Sequence, residues 1–206
     1  MQSKTRGKAV AIAAMNVDIV KMLSCCVEIC REGGRRYARA AFDEFVNYMG
    51  YRLGLTSDKP SLSTETLEKL KATLDFGKLA ARVGDHLGMV ASRLEVLNDR
   101  LGQCLTPPNI ADFMNEIVGV DSARVGQRIF DPALGTGVFL ISAAKTATPG
   151  VELWGVEIDP SLYRAALVQL NIYTAFGIIN PFRVVVGDSL TNDIDWSKAN
   201  RWRAKN

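Results

Sequence analysis

The stretch that decides the fold is Arg128-Ile129-Phe130-Asp131-Pro132-Ala133-Leu134-Gly135-Thr136-Gly137. Its first four residues predict a short β-strand that ends in an acid, and its glycines predict a tight turn that opens a helix over 137–147. Glycines in such a turn let the backbone pass close beneath a ligand, and a carboxylate at the strand end accepts a hydrogen bond from an amine or a hydroxyl. The stretch therefore predicts a ligand-binding strand, turn and helix.

The residues that follow repeat this alternation of strand and helix. The apolar pattern predicts a strand over 153–158, a helix over 162–176 and a strand over 182–186. Strands that alternate with helices of this length form a parallel sheet with right-handed crossovers. We therefore expect an α/β, Rossmann-like fold in which the three strands end at the same edge.

Acids also stand at the ends of the second and third predicted strands. Glu157 lies in Gly155-Val156-Glu157-Ile158-Asp159, and Asp188 lies in Gly187-Asp188-Ser189-Leu190. A carboxylate at the first place accepts from both hydroxyls of a ribose, and one at the second receives the exocyclic amine of an adenine. Unrelated turn and capping residues are the alternative. Three acids at three consecutive strand tips favour a nucleoside-binding rim instead.

After Thr106-Pro107-Pro108, apolar residues at helical spacing predict an amphipathic helix: Ile110, Phe113, Met114, Ile117 and Val118. Together with Thr106-Pro107-Pro108, the strand-tip motifs resemble those of N6-adenine DNA methyltransferases. Their order and spacing over about residues 101 to 190 are most similar to the modification subunits of type I restriction systems. The resemblance implies a Rossmann-like methyltransferase fold with an incomplete parallel sheet, S-adenosylmethionine (AdoMet) as cofactor and DNA as partner. It also implies a helical N-terminal region, here 1–100, before a partial AdoMet-binding domain, 101–206.

The resemblance assigns a role to each motif residue. The residues beside the methionine end of AdoMet are Thr106, Pro107, Asp131, Pro132, Gly135 and Gly137. The residues around its nucleoside are Glu157 at the ribose, Ile158 on the adenine ring and Asp188 at the adenine amine. Leu134 departs from the Cys or Ser of many relatives, a change that should not prevent binding.

The catalytic Asn-Pro-Pro-Tyr or Asn-Pro-Pro-Phe motif of that family does not occur in the sequence. Asn180-Pro181-Phe182 echoes it, but it precedes the third strand, so we interpret it as a turn. We therefore assign no catalytic residue and expect the chain to be inactive alone, with a protein partner or a C-terminal half completing the sheet. Two other functions stay open: a non-catalytic AdoMet- or DNA-binding regulatory or anti-restriction protein, and a methyltransferase of RNA or protein.

The first hundred residues show helical periodicity. It predicts helices from Ile19 to Gly33-Gly34, from Ala38 to Gly50, after an N-cap at Ser63, and along a leucine repeat over 87–101. A small helical bundle explains this pattern. Four arginines could form a phosphate-facing patch, but a solvated helix face is the better interpretation: Arg35, Arg36, Arg39 and Arg52.

Composition bounds the remaining possibilities. The length of 206 residues suits one domain with an appended helical segment, or a piece of a larger protein, and a net charge of +3 neither requires nor excludes a nucleic acid. The apolar stretch over 9–15 is too short to span a membrane and lacks a signal-peptide cleavage pattern, so we expect a cytoplasmic protein. We interpret the four cysteines as buried thiols rather than metal ligands, and His86 as a surface or satisfied core residue. The basic, tryptophan-containing tail over 192–206 either touches DNA or frays.

Overall fold

The structure, a computed structural model, describes residues 17–32, 37–98 and 101–202. The helices are α1 Val17–Glu32, α2 Ala38–Arg52, α3 Thr64–Thr73, α4 Phe76–Ala80, α5 His86–Arg93, α6 Pro108–Ile117, α7 Val138–Ala143 and α8 Pro160–Ala175. The strands are β1 Arg128–Asp131, β2 Glu152–Glu157 and β3 Phe182–Val186, and short 3-10 turns cover Val120–Ser122 and Trp196–Lys198. The stretch over 9–15, Arg35, Arg36, Arg203 and Lys205 lie outside the described residues.

The sheet is parallel and has the order β1-β2-β3. Asp131 is in register with Gly155, and Glu157 is in register with Val186, so the carboxyl ends of neighbouring strands coincide. The predictions for β1 and β3 are confirmed at both bounds, and β2 begins and ends one residue earlier than expected. The predicted alternation of strands and helices is likewise confirmed.

One face of the sheet is covered by α7 and α8. The close approach depends on Gly155, because a Cβ there would lie 2.8 Å from Cδ1 of Leu134 and 3.3 Å from Cδ1 of Leu140. Helix α8 is buried on nearly every side, since α2, α4 and α5 pack against its outer surface. One hydrophobic core runs from Ile19 in α1 to Val184 in β3 without interruption. The helical region therefore forms a second layer over the helices of the α/β part.

The opposite face of the sheet is largely open in the described structure. Phe130 of β1 is 46% exposed, and Trp196 covers it in part, with ring centroids 6.3 Å from Phe130 and 4.5 Å from Trp154. Asn200 continues the sheet beyond β3, because its side chain accepts from Val184 N at 2.8 Å and donates to the Phe182 carbonyl at 2.8 Å. The described part of the tail is packed rather than frayed.

Helix α6 forms as predicted, but its apolar side does not pack inward. The residues buried on this helix are Ala111 and Asn115. The side chains of the predicted apolar face are exposed: Ile110 44%, Phe113 57%, Met114 45%, Ile117 67% and Val118 63%. Periodicity predicted the helix correctly, yet an apolar face is buried only where a partner element lies opposite it.

Several expectations for the helical region need correction. The leucine repeat over 87–101 is not one helix, because α5 ends at Arg93 and Glu95 has a left-handed φ of 53°. Arg39 does not lie on a solvated face, since its guanidinium pairs with Asp159. The N-cap at Ser63 is confirmed by a hydrogen bond from Thr66 N at 3.2 Å.

Other side chains behave as expected. His86 is a satisfied core residue, 4% exposed, and its Nε2 lies 2.8 Å from the Arg82 carbonyl oxygen. Cys25 and Cys26 are buried thiols as predicted, whereas Cys104 is exposed. Asn180 and Pro181 lead directly into β3, which begins at Phe182, and the Asn180 side chain donates to the Thr148 carbonyl at 3.0 Å. Among the described residues, no helix combines the length and the hydropathy needed to cross a membrane.

Candidate cofactor site

The three strand-tip acids come together at one edge of the sheet. Gly135 N donates to Oε2 of Glu157 at 2.6 Å, which joins the turn after β1 to the tip of β2. Gly187 N donates to the Glu157 carbonyl at 3.0 Å, which joins the tip of β2 to the loop that carries Asp188. Asp131, Glu157 and Asp188 therefore follow one another along the rim of the sheet, in the order that the sequence predicted.

The turn after β1 has a backbone that favours glycine. Gly135 has a φ of 56° and Gly137 a φ of 96°, both in the left-handed region that costs a residue with a Cβ. A Cβ at Gly135 would also lie 3.1 Å from Cδ2 of Leu105. The turn is tied to β2 by a hydrogen bond of 2.8 Å from Leu134 N to the Val156 carbonyl. The left-handed backbone at both positions, together with the near contact to Leu105 at Gly135, makes glycine the residue that fits this turn.

Glu157 is the most buried of the three acids, with 6% of its surface exposed. Burial raises the pKa of its carboxyl, and hydrogen bonds from Asp159 N and Gly135 N counter part of that rise. The neighbouring charges of Asp159 and Asp131 raise the pKa further. Each carboxylate oxygen already accepts one backbone amide, and each keeps a second lone pair. Glu157 is therefore equipped to accept from two more donors, such as a pair of vicinal hydroxyls.

Asp131 is half-buried at the tip of β1. Its Oδ1 accepts from Ala133 N at 3.0 Å, while Pro132 and Ala133 are themselves exposed. Burial raises the pKa of the Asp131 carboxyl, and the hydrogen bond from Ala133 N counters this. A half-buried carboxylate with one oxygen held by the backbone presents the other to a cationic amine.

Ile158 and Asp188 complete the nucleoside end of the rim. Ile158 is 51% exposed although it stands between Glu157 and Asp159, which are both buried, so it presents an apolar surface just beyond the tip of β2. Asp188 is half-buried, and its Oδ1 accepts from Leu190 N at 2.9 Å. An exposed aliphatic side chain beside a carboxylate suits an aromatic base that carries an amine.

Thr106 and Pro107 lie on the other side of the glycine turn. Pro107 is the N-cap of α6, Pro108 is its first residue, and the preceding Leu105 reaches the turn at Gly135. Thr106 and Pro107 line a pocket of about 190 Å³ whose opposite wall is α5. The structure therefore places Thr106 and Pro107 next to the glycine turn through Leu105, while the other predicted site residues lie at the strand tips and in the turn.

Two sets of residues at this edge were missed by the sequence motifs. Asp85 and Gln169 bond Thr136 in the turn, and Arg39 and Gln103 bond Asp159 beside Glu157. The only local signal for the first set is the pair Asp85 and Gly88, three residues apart as in a helix N-cap. The second set joins residues 120 positions apart, a pairing that no local pattern reveals.

A solved structure shares this architecture. It is that of a Listeria monocytogenes protein described as a class I S-adenosylmethionine-dependent methyltransferase, with a TM-score of 0.61 and 15% identity over 88% of this chain and 56% of that chain. The likeness confirms the predicted fold class, the fold of class I AdoMet-dependent methyltransferases.

Sequence comparison identifies the family. Residues 87–201 match the model of the N-6 DNA methylase family, so the chain belongs to the N-6 DNA methylases, as the motifs predicted. One relative is the type II restriction enzyme and methyltransferase RM.BcgI of Heyndrickxia coagulans, 29% identical over 53% of this chain and 18% of that protein. Another is the ubiquinone/menaquinone biosynthesis C-methyltransferase UbiE of Bordetella avium, 30% identical over 55% of this chain and 42% of that protein. The chain thus spans less than half the length of either curated relative.

The fold and the family imply AdoMet as the cofactor, and the residues of the rim fit it. Gly135 and Gly137 leave the backbone of the turn without side chains next to Asp131, and both have the left-handed φ that favours glycine. The side chains along the rim are acidic, and AdoMet carries an ammonium, a ribose diol and an adenine amine, which are groups that carboxylates accept hydrogen bonds from. The site shape and its charges agree with the family.

Proposed function

We propose that this chain is the AdoMet-binding part of a DNA adenine-N6 methyltransferase, with its cofactor held by the rim from Asp131 to Asp188. The observation that carries the proposal is the junction at Glu157, where a buried carboxylate ties the glycine turn to the tip of β2 and keeps two lone pairs free. When bound, AdoMet supplies the electrophilic methyl group that the family transfers to the exocyclic amine of adenine.

Each rim residue has a distinct binding role in this proposal. Asp131 accepts from the ammonium of the methionine moiety, while Gly135 and Gly137 leave room for it and Thr106 and Pro107 flank it. A second set of residues binds the nucleoside: Glu157 accepts from the ribose hydroxyls, Ile158 packs on the adenine ring and Asp188 accepts from its amine.

Isothermal calorimetry with AdoMet tests the assignment. Wild-type protein is expected to release or absorb heat on binding, and Glu157→Ala is expected to lose at least about tenfold in affinity, since two charge-assisted hydrogen bonds are removed. The matched control is Glu152→Ala at the opposite end of the same strand, where the side chain pairs with Arg128 on the other face. Wild type without binding heat, or Glu157→Ala equal to Glu152→Ala, would refute the site.

The structure also supports a protein partner. The surface formed by the outer edge of β1 and the end of α6, called here the open-edge surface, includes Ile117, Val118 and Phe130, and the last two line one groove. β1 is paired on one side only among the described residues, and a groove of about 560 Å³ runs along it. An edge strand beside exposed apolar side chains is a site where a further strand adds. We propose that the occupant is a polypeptide carrying the catalytic half of the methyltransferase, which pairs with β1 and packs under α6.

Methyl-transfer assays test whether this chain binds AdoMet while another polypeptide supplies the catalytic residues. The chain alone is expected to transfer no tritiated methyl group from AdoMet to DNA, and incorporation by the chain alone would contradict the proposal. Sequencing the DNA beyond the codon for Asn206 separates it from the regulatory alternative, because a reading frame, continuous or separate, that encodes Asn-Pro-Pro-Tyr or Asn-Pro-Pro-Phe supports a methyltransferase. AdoMet binding without such a frame would instead favour a non-catalytic binding protein.

A further inference from the structure

Thr136 is the residue between the two glycines of the turn, and its side chain points away from the rim. Thr136 stands between Gly135 and Gly137, which both have left-handed backbones, and it is fully buried. Glycine-rich backbone is the most costly to order, so a turn of this kind keeps one geometry only if neighbours hold it. Hydrogen bonds to the side chain and the carbonyl of Thr136 fix the turn in this way.

Asp85 of the helical region and Gln169 of α8 both form hydrogen bonds with Thr136. Its hydroxyl donates to Oδ2 of Asp85 at 2.7 Å, and its carbonyl accepts from Nε2 of Gln169 at 2.8 Å. The same Gln169 amide donates to Oδ1 of Asp85 at 2.8 Å, so the three residues close a ring of hydrogen bonds. Two further bonds anchor that ring to α5, from Gly88 N to Asp85 and from Leu87 N to Gln169.

This network lies in the dry interior. Asp85 is 5% exposed and Gln169 is 2% exposed, so each lost bond would leave a buried polar group without its partner. The fit is tight, because a Cβ at Gly88 would lie 1.9 Å from Oδ2 of Asp85 and 2.5 Å from Oγ1 of Thr136. Asp85 and Gly88 also line the 190 Å³ pocket opposite Thr106 and Pro107. Helix α5 therefore lines the pocket beside Thr106 and Pro107 and also holds the hydrogen-bonded ring at Thr136.

We infer that Asp85 and Gln169 are positioning residues for AdoMet, which set the glycine turn through Thr136. The inference depends on the proposed function, because that proposal supplies AdoMet as the ligand. The hydrogen bonds that hold the turn are present without the ligand. It gives the helical region a specific role in binding, because α5 holds the backbone on which the methionine end of the cofactor lies.

Two measurements on the 206-residue chain test the inference. The key variant is Thr136→Val, which keeps the shape and removes the hydroxyl, and Thr136→Ser retains the hydroxyl. Thr136→Val is expected to bind AdoMet about tenfold more weakly in calorimetry and to speed hydrogen exchange of the backbone amides of residues 134–137, with Thr136→Ser close to wild type. If Thr136→Val does not fold, Thr136→Ala removes the same hydroxyl without adding a methyl group beside Asp85.

Two controls separate positioning from general destabilisation. Thr174→Val makes the same chemical change on α8, where the hydroxyl bonds only its own helix at the Leu170 carbonyl. Ile29→Val shortens a buried side chain of α1, and Ile29 makes no hydrogen bond to the turn through its apolar side chain. Both are expected to keep wild-type affinity and wild-type exchange in the turn, even where the melting temperature falls.

The outcomes are distinguishable. Unchanged exchange and affinity in Thr136→Val would overturn the inference, as would an equal loss in Ile29→Val. Wild type that does not bind AdoMet would refute the proposed function, while faster exchange in Thr136→Val, restored in Thr136→Ser, would still support the positioning of the turn by α5.

Discussion

The ion pair between Arg39 and Asp159 joins the helical region to the sheet, and its removal has a calculable cost. Both oxygens of Asp159 accept from Nη2 of Arg39, at 2.8 and 2.7 Å, and Nη1 donates to the Val96 carbonyl at 2.6 Å. The Asp159 side chain is 6% exposed and that of Arg39 is 32% exposed. Arg39→Ala therefore leaves a buried carboxylate with two remaining donors, Gln103 and Ser161 N.

The magnitude follows from this burial. Removing one partner of a fully buried pair costs about 3–5 kcal/mol. Since water reaches the Arg39 side of the pair, we expect Arg39→Ala to lower the free energy of unfolding by about 2–3 kcal/mol. For a chain of this length, the melting temperature should fall by about 4–12 °C. Urea unfolding followed by circular dichroism measures the first quantity and thermal scans measure the second.

Arg52→Ala is the matched control, because Arg52 lies on the same helix but over the rings of Tyr48 and Phe76, 5.7 and 5.4 Å from their centroids. It should cost about 1 kcal/mol or less. Arg39→Lys should recover only part of the loss, since one ammonium nitrogen cannot reach both Asp159 and the Val96 carbonyl as Nη2 and Nη1 do. Equal losses in Arg39→Ala and Arg52→Ala would refute the reasoning.

The same pair predicts a dependence on pH. Burial by itself raises the pKa of Asp159, but the bonds from Arg39, Gln103 and Ser161 outweigh it and hold the pKa below its usual range. A lowered folded pKa contributes stability that is present above the unfolded value of about 3.9 and is lost as the pH falls through the folded value. The gap between wild type and Arg39→Ala should therefore be widest near neutral pH and shrink in acid.

Three further predictions concern the rim, the thiols and the open-edge surface. Burial raises the pKa of Glu157, so ionising this carboxyl opposes folding as the pH rises above about 4.3. Urea titrations should therefore show that Glu157→Gln becomes more stable relative to wild type as the pH rises through this range. A difference in unfolding free energy that does not change with pH would contradict this. Iodoacetamide should modify exposed Cys104 long before Cys25, whose pKa burial raises to about 12, as peptide mass mapping will show. Ile117→Glu, at a side chain 67% exposed, should change the melting temperature by no more than about 2 °C yet reduce binding of a hydrophobic dye; a large loss of stability would show that the side chain is packed.

Local sequence sufficed where the physical cause is itself local. The strand ending in Asp131, the glycine turn and the two later strand tips were predicted because apolar runs, glycines and acids follow each other within a few residues. The N-cap at Ser63 was predicted for the same reason. The AdoMet-binding roles of the individual residues stay predictions, supported by the geometry of the rim and awaiting the binding measurements.

The predictions from sequence that were wrong concern contacts between residues far apart in the chain. The solvated face expected for Arg39 was the reasonable interpretation of a helix seen alone, but the partner, Asp159, lies 120 residues away. The leucine repeat over 87–101 has helical spacing, yet the chain leaves the helix after Arg93 while Leu94 and Leu97 still pack on the core. An apolar pattern therefore predicts which side chains will be buried, but it does not predict the backbone conformation of the segment that carries them.

The sequence by itself determined the α/β alternation, the order of the rim acids and the family, because each of these is written in short motifs along the chain. The tertiary structure alone decided that Asp85 and Gln169 bond the glycine turn at Thr136, and that α6 leaves its apolar side exposed. The physical reason is that a hydrogen bond or a packing contact depends on distance in space. Folding brings Thr136 within reach of Asp85 across 51 residues and leaves the apolar face of α6 exposed.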